Sequence, residues 1–289
     1  MKSVLVSIDF SEGSLNSCKY ALEIVPKNNP VSLWLFHVYA DQLIFQPTYD
    51  LDGVLMDPIV DIELFEEMKK LAYERMDALK KEVEDYIAQR GFKNVTVKEF
   101  LIPGDPEWMI SDVCEELTPD VIVMSTKGSG RKEPLEGNMA KKIIGKAKVP
   151  VLAVPEDYTK HQLSKIMFVT HLENEMEDVD YIKMIFENLR YLNPEMIVTY
   201  FKEKEDRKGD LNELEEVFNE EFNEGRFKVV KVDFGIKVKE VAQQYEADLL
   251  AFVAHKENPL KRLFKKVITK KDFFEAGIPV LGLPPERKE

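Results

Sequence analysis

Short, unbroken apolar runs recur along this chain, separated by longer stretches in which apolar residues return every three to five positions. The runs are Ser3–Ile8, Val31–Val38, Val95–Leu101, Val121–Met124 and Val149–Val154, each short and largely continuous. They fit strands covered on both faces. Between them, Leu64, Met68, Leu71, Met76, Leu79, Val83 and Ile87 trace one stripe of a helix, and Gly91 supplies its stop. Asp105-Pro106-Glu107 predicts a helix start: a capping carboxylate, proline in the first turn, then an acid at the positive end of the helix dipole. The same alternation then returns, with runs at Ile166–Thr170, Met196–Phe201, Phe227–Val232, Leu249–Ala254 and Val280–Leu283. Strand and helix alternating in this way predict an α/β fold with a doubly wound parallel sheet.

The return is a repeat. Val4-Leu-Val-Ser-Ile-Asp9 aligns with Ile166-Met-Phe-Val-Thr-His171, Asp120-Val-Ile-Val-Met124 with Asp248-Leu-Leu-Ala-Phe252, and Pro150-Val-Leu-Ala-Val-Pro155 with Pro279-Val-Leu-Gly-Leu-Pro284. Three matches in the same order predict two copies of one unit. The boundary falls in the polar stretch Glu156 to Leu163. The last run of each copy, Val151–Val154 and Val280–Leu283, is expected at a sheet edge. Pairing the two edges would cover both, making the chain a pseudo-two-fold dimer of its own halves.

Composition narrows the function classes. The 289 residues carry a net charge of −13, which disfavours duplex nucleic acid and anionic membrane as partners. No apolar run reaches the roughly 20 residues that span a bilayer, and the N-terminus reads as a strand rather than a signal peptide. With Cys18 and Cys114 in separate helical segments, a disulfide framework is not expected, and a cytoplasmic address follows. Against the acidic background, Ser125 to Lys148 holds seven basic residues and two acidic ones. That stretch reads either as a focused anion site or as an unevenly charged solvated face.

Ligands of such sheets sit beyond the C-terminal strand ends where strand order reverses. The residues leaving the strands there are Asp9-Phe10-Ser11, His37-Val38 and Ser125-Thr126-Lys127-Gly128-Ser129-Gly130, with Gly137-Asn138 opening the next helix. Glycines let backbone N–H groups approach a phosphate, and the helix N-terminus adds partial positive charge. Asp9 could accept hydrogen bonds from a ribose or an adenine, or simply serve the first turn of a helix capped by Ser11.

These residues resemble the universal stress protein family. The resemblance rests on Ser7-Ile-Asp-Phe-Ser-Glu12, Phe36-His-Val38, Gly104-Asp-Pro106, Pro119-Asp-Val-Ile-Val-Met124, the glycine loop and Val149-Pro-Val-Leu-Ala-Val154. It covers residues 1–156 as one domain and 163–289 as a second, degenerate one, giving two Rossmann-like domains in tandem. For the first domain it implies ATP as ligand, Asp9 and Val38 at the base and ribose, and Ser125, Gly128, Gly137 and Asn138 around the phosphates. It also implies mutual docking of the two domains and leaves room for a further homodimer. The family loop is Gly-x-x-Gly, nine residues, then Gly-Ser or Gly-Thr. Here Ser125 replaces the first glycine, the spacer is eight residues, and Asn138 replaces the hydroxyl residue.

The second copy lacks every loop glycine and carries Pro259, Leu260, Leu263 and Phe264 instead, which reads as an apolar plug against ATP. His171 and His255 leave neighbouring runs, but two ligands make no metal site, and none is predicted. The expectation is a stress-response protein that binds adenine nucleotide weakly in its first domain and acts by binding. The alternatives are an interaction module without nucleotide and an ATP-hydrolysing enzyme. Against the enzyme, the chain has no Gly-x-x-x-x-Gly-Lys loop, no Ser-Gly-Gly-x-Asp-Ser loop and no His-x-Gly-His signature.

Overall fold

The computed structural model describes residues 1–39, 48–49, 55–56, 62–126, 138–170, 175–201, 226–233, 235–254, 274 and 276–284. Its first half runs β1 (Ser3–Ser7), α1 (Glu12–Ile24), β2 (Val31–Tyr39), a short ribbon of β3 (Thr48–Tyr49) and β4 (Leu55–Met56), α2 (Ile62–Arg90), β5 (Val95–Pro103), α3 (Pro106–Leu117), β6 (Val121–Ser125), α4 (Asn138–Lys146) and β7 (Val151–Val154). The second runs β8 (Lys165–Thr170), α5 (Glu175–Leu189), a 3₁₀ turn (Arg190–Leu192), β9 (Glu195–Phe201), β10 (Phe227–Val232), α6 (Val238–Gln244), β11 (Leu249–Val253) and β12 (Val280–Leu283).

Ten strands form one sheet in the order β10-β9-β8-β11-β12-β7-β6-β1-β2-β5. Each half is parallel within itself, and the chain reverses direction across the sheet between β1 and β6, and again between β8 and β11. The halves meet where β7 and β12 pair antiparallel, with Leu152 opposite Leu281 at the pseudo-two-fold centre. Every residue of both strands is buried.

Strand residues alternate between two apolar cores, as a period of two requires. Val4, Val6 and Ile8 face one core with α1, α2 and α5, while Leu5 faces the other with α3, α4 and α6. Each core runs through both halves, so the boundary does not interrupt burial. The segment 156–163 is polar in sequence, yet Tyr158 and Leu163 are buried within the first core. At Gly282 the sheet passes so near α4 that a Cβ would lie 3.1 Å from Ile144 Cγ1 and collide with its other methyl branch.

The repeat carries structural work of its own. Asp120, ahead of β6, accepts hydrogen bonds from the backbone N–H groups of Lys2 and Ser3 at the start of β1. Asp248, ahead of β11, does the same for Ser164 and Lys165 at the start of β8, at 2.8 and 3.0 Å. Each aspartate follows a left-handed residue, Thr118 (φ 42°) or Glu246 (φ 53°), which turns the chain out of the preceding helix. Asp105 caps α3, its carboxylate accepting from Glu107 N–H at 2.8 Å and Trp108 N–H at 3.3 Å. Gly91 closes α2 at φ 73°.

Candidate functional site

The described side of the first-half crevice lies at the C-terminal ends of β1, β2 and β6. β1 ends in a tight turn with Phe10 in the left-handed region at φ 61°, a strained setting for a residue with a bulky side chain. Packing holds it there: the Phe10 ring lies 4.3 Å, centroid to centroid, from the imidazole of His37. His37 Nδ1 is 2.8 Å from the carbonyl of Ile8. A carbonyl only accepts, so Nδ1 carries the hydrogen and the ring orientation is fixed.

Asp9 leaves β1 half-buried. Its Oδ1 accepts from Ser11 N–H (3.0 Å), the Ser11 hydroxyl (2.6 Å) and the Ser14 hydroxyl (2.7 Å), while its own N–H donates to Ser14 Oγ at 2.9 Å. One carboxylate oxygen is thus bound to the opening turn of α1. Ser11 stands at the N-cap position, but its hydroxyl serves Asp9 and makes no capping bond. The structural reading of Asp9 is therefore satisfied, whatever else the carboxylate contacts.

Val38, half-buried on β2, pairs with Ile102 of β5 and borders the same strand ends. Ser125 closes β6, paired with Val154, and Thr126 N–H donates to the Val154 carbonyl at 3.0 Å. The Ser125 side chain packs against α1 at Gly13, where an added Cβ would lie 2.9 Å from Ser125 Cβ. Asp9 and Ser125 thus flank the reversal point from neighbouring strands, with Val38 one strand further on. Asn138 begins α4. Gly128 and Gly137 lie outside the described residues, as do Lys127, Arg131 and Lys132.

The basic stretch behaves differently from an anion funnel wherever it is described. Lys142 and Lys146 on α4 both bind Glu107 on α3, and Lys148 binds Glu115. Hydrogen bonds from Lys142 and Lys146 hold the Glu107 carboxyl below the usual carboxylate range. Lys141 lies over the Phe274 ring at 4.7 Å and Lys146 over Trp108 at 5.6 Å. These four cations join helices to each other and to the second half, an arrangement that sequence spacing does not reveal.

Thiol chemistry has no foothold. Burial pushes the Cys18 thiol up to about 12 and the Cys114 thiol to about 11, so both stay protonated near neutrality. Among the described residues, no three His, Cys, Asp or Glu side chains gather as a metal site, and no helix is long and apolar enough to cross a membrane.

The second half provides a contrast at matching register. Val4 pairs with Val121 in the first half and Ile166 with Leu249 in the second, so Val253 occupies the place of Ser125. Likewise Ser3 pairs with Ser32 and Lys165 with Glu195, so Phe201 occupies the place of Val38. Phe201 is 1% exposed and Val253 4%. Phe201 belongs to one apolar core and Val253 to the other, and the sequence marks neither position, because a buried strand Phe looks like any core residue. Pro259, Leu260, Leu263, Phe264, His171 and His255 are outside the described residues. The registers Ile122↔Val151 and Leu250↔Val280 also locate a one-residue difference in length between the last two strands of each half. The first-half connection is the shorter.

A doubly wound α/β sheet whose strand order reverses beside its first strand defines a Rossmann-like fold class. Residues 1–155 match the Universal stress protein family, and the chain belongs to it. No curated protein matches the chain. Among solved structures, a universal stress protein from Archaeoglobus fulgidus DSM 4304 is similar over 99% of this chain and 97% of its own, with TM-score 0.69 and 16% identity. A functionally unknown protein from Pseudomonas aeruginosa PAO1 covers 99% and 93%, with TM-score 0.54 and 14% identity. The cytoplasmic domain of a prokaryotic cation chloride cotransporter covers 99% and 96%, with TM-score 0.52 and 12% identity. At these identities the likeness is one of fold, and it extends across both halves.

Proposed function

We propose that this chain is a stress-response protein whose first half binds one adenine nucleotide, ATP in the first instance, and acts through binding rather than catalysis. The observation that carries the reading is the asymmetry of the two crevices. In the first half, small or polar residues (Asp9, Gly13, Ser125) stand at the reversal point, ahead of a loop with glycines at 128, 130 and 137. In the second, the buried apolar residues Phe201 and Val253 stand at the positions of Val38 and Ser125, and the loop after β11 has no glycine at the matching places. In this reading Asp9 and the backbone beside Val38 hold the base and ribose. Ser125, Gly128, Gly137 and Asn138 surround the phosphates, where backbone N–H groups supply hydrogen bonds that a side chain on Gly128 would block. The domains in this reading are residues 1–156 and 163–289.

The eight-residue spacer and the internal pairing of Lys142, Lys146 and Lys148 with acids of α3 argue for weak binding. They also favour the second reading, an interaction module without nucleotide. One experiment separates the two. Millimolar ATP should raise the unfolding temperature of the wild-type protein and leave Gly128→Val unmoved, because a ligand stabilises only the state it binds. No shift in the wild type would leave the interaction module standing. Conversion of ATP to ADP during the same incubation would favour hydrolysis over binding alone.

A further inference from the structure

We infer that Gly13 is a positioning residue for the first-half crevice, acting through Ser125. This rests on the nucleotide reading above and adds to it a site-shaping contact on a different element. Gly13 sits in the first turn of α1, fully buried, at an ordinary helical φ. Conformation therefore does not demand glycine there; space does. The two atoms nearest to an added Cβ are Ser125 Oγ and Ser125 Cβ, the latter at 2.9 Å, and the third is Ser11 Oγ at 3.4 Å. Ser125 cannot retreat easily. Its backbone is fixed in β6 against Val154, and the next residue is hydrogen-bonded to the same carbonyl.

A side chain at residue 13 would therefore displace the end of β6 at Ser125 or swing the opening turn of α1. That turn is tied to Asp9 through Ser11 and Ser14, so either movement changes the distance between Asp9 and Ser125 across the crevice. The missing side chain at 13 is what gives Ser125 room. In the second half the aligned residues are Glu175 and Val253, so neither member of the pair recurs there.

The test is a calorimetric ATP titration of the full chain and three variants, at a temperature where circular dichroism shows each to be folded. Gly13→Ala should weaken ATP binding about tenfold or more in the wild-type background. In the Ser125→Gly background the same change should cost less than about threefold, since the atoms it strikes are gone. Without nucleotide, Gly13→Ala should lower the unfolding temperature, the reverse of the usual gain from alanine in a helix. Should Gly13→Ala alone fail to fold, the Gly13→Ala, Ser125→Gly double variant decides against Ser125→Gly by the same threefold limit. Equal ATP affinity of wild type and Gly13→Ala, or an undiminished loss in the Ser125→Gly background, overturns the positioning role and leaves the nucleotide reading intact. A wild-type chain that binds no ATP overturns both.

Discussion

Asp9 shows how a single side chain can satisfy a structural role and border a binding crevice together. Its Oδ1 gathers three hydrogen bonds from Ser11 and Ser14, and Ser14 is fully buried. Asp9→Ala leaves the Ser14 hydroxyl without its acceptor and frees the first turn of α1. A loss of about 1–3 kcal/mol is expected, read as a lower urea midpoint at unchanged slope. Glu107 gives a prediction of different sign structure. Its folded pKa is depressed by Lys142 and Lys146, so its contribution is present above the unfolded carboxylate range and is lost as pH falls through the depressed value. The stability gap between wild type and Glu107→Gln should be widest near neutral pH, vanish in acid, and shrink with added salt. A gap that grows on acidification would contradict this pairing. At residue scale the sequence is partly legible. Asp105 and Gly91 do what their neighbours announce, because a cap or a stop is a local event. Phe201 and Gly13 act through strands more than 20 positions away, and nothing local marks them.

Among the described helices, α1 reaches several separate elements. Beyond its ties to Asp9 and Ser125, Asn16 Nδ2 donates to the carbonyls of Pro155 and Tyr158, both at 3.0 Å, and Asn16 Oδ1 lies 3.1 Å from His161 Nε2. Tyr158 in turn donates to the carbonyl of Asp248 at 3.2 Å. The stretch between the halves is thus clamped by α1 of the first half and by Asp248, ahead of β11 in the second. Asn16→Ala removes the donor from two carbonyls, and a cost of about 1–3 kcal/mol is expected in chemical unfolding. Hydrogen exchange in 155–164 should accelerate along with it. The inner strands were the most legible elements, since runs buried on both faces leave no other reading. The runs at Val95–Leu101 and Phe227–Val232 form edge strands with exposed positions instead, because no strand covers their outer side. The polar stretch 156–163 was less legible: hydrophilic composition suggested a loose connection, while the buried Tyr158 and Leu163 depend on surfaces supplied from elsewhere.

At the scale of the molecule, one sheet carries two unequal halves. The antiparallel joint of β7 and β12 makes both cores continuous, so neither half has an exposed apolar edge at the joint. Gly282 is the joint's tightest point, and Gly282→Val should cost about 1–3 kcal/mol through its collision with Ile144. Ile144→Ala in the same chain should recover part of that loss, and a purely additive pair would refute the contact. The likeness of the two halves was visible in sequence because their apolar runs and flanking prolines recur in the same order. That Phe201 and Val253 stand where Val38 and Ser125 stand in the first half needed the register of the strands. The central claim is that one half keeps a nucleotide site and the other has lost it. Calorimetric titration of the intact chain with ATP measures this directly through its stoichiometry. One equivalent per chain, abolished by Gly128→Val, is the predicted result; two equivalents, or no binding at millimolar nucleotide, would contradict it.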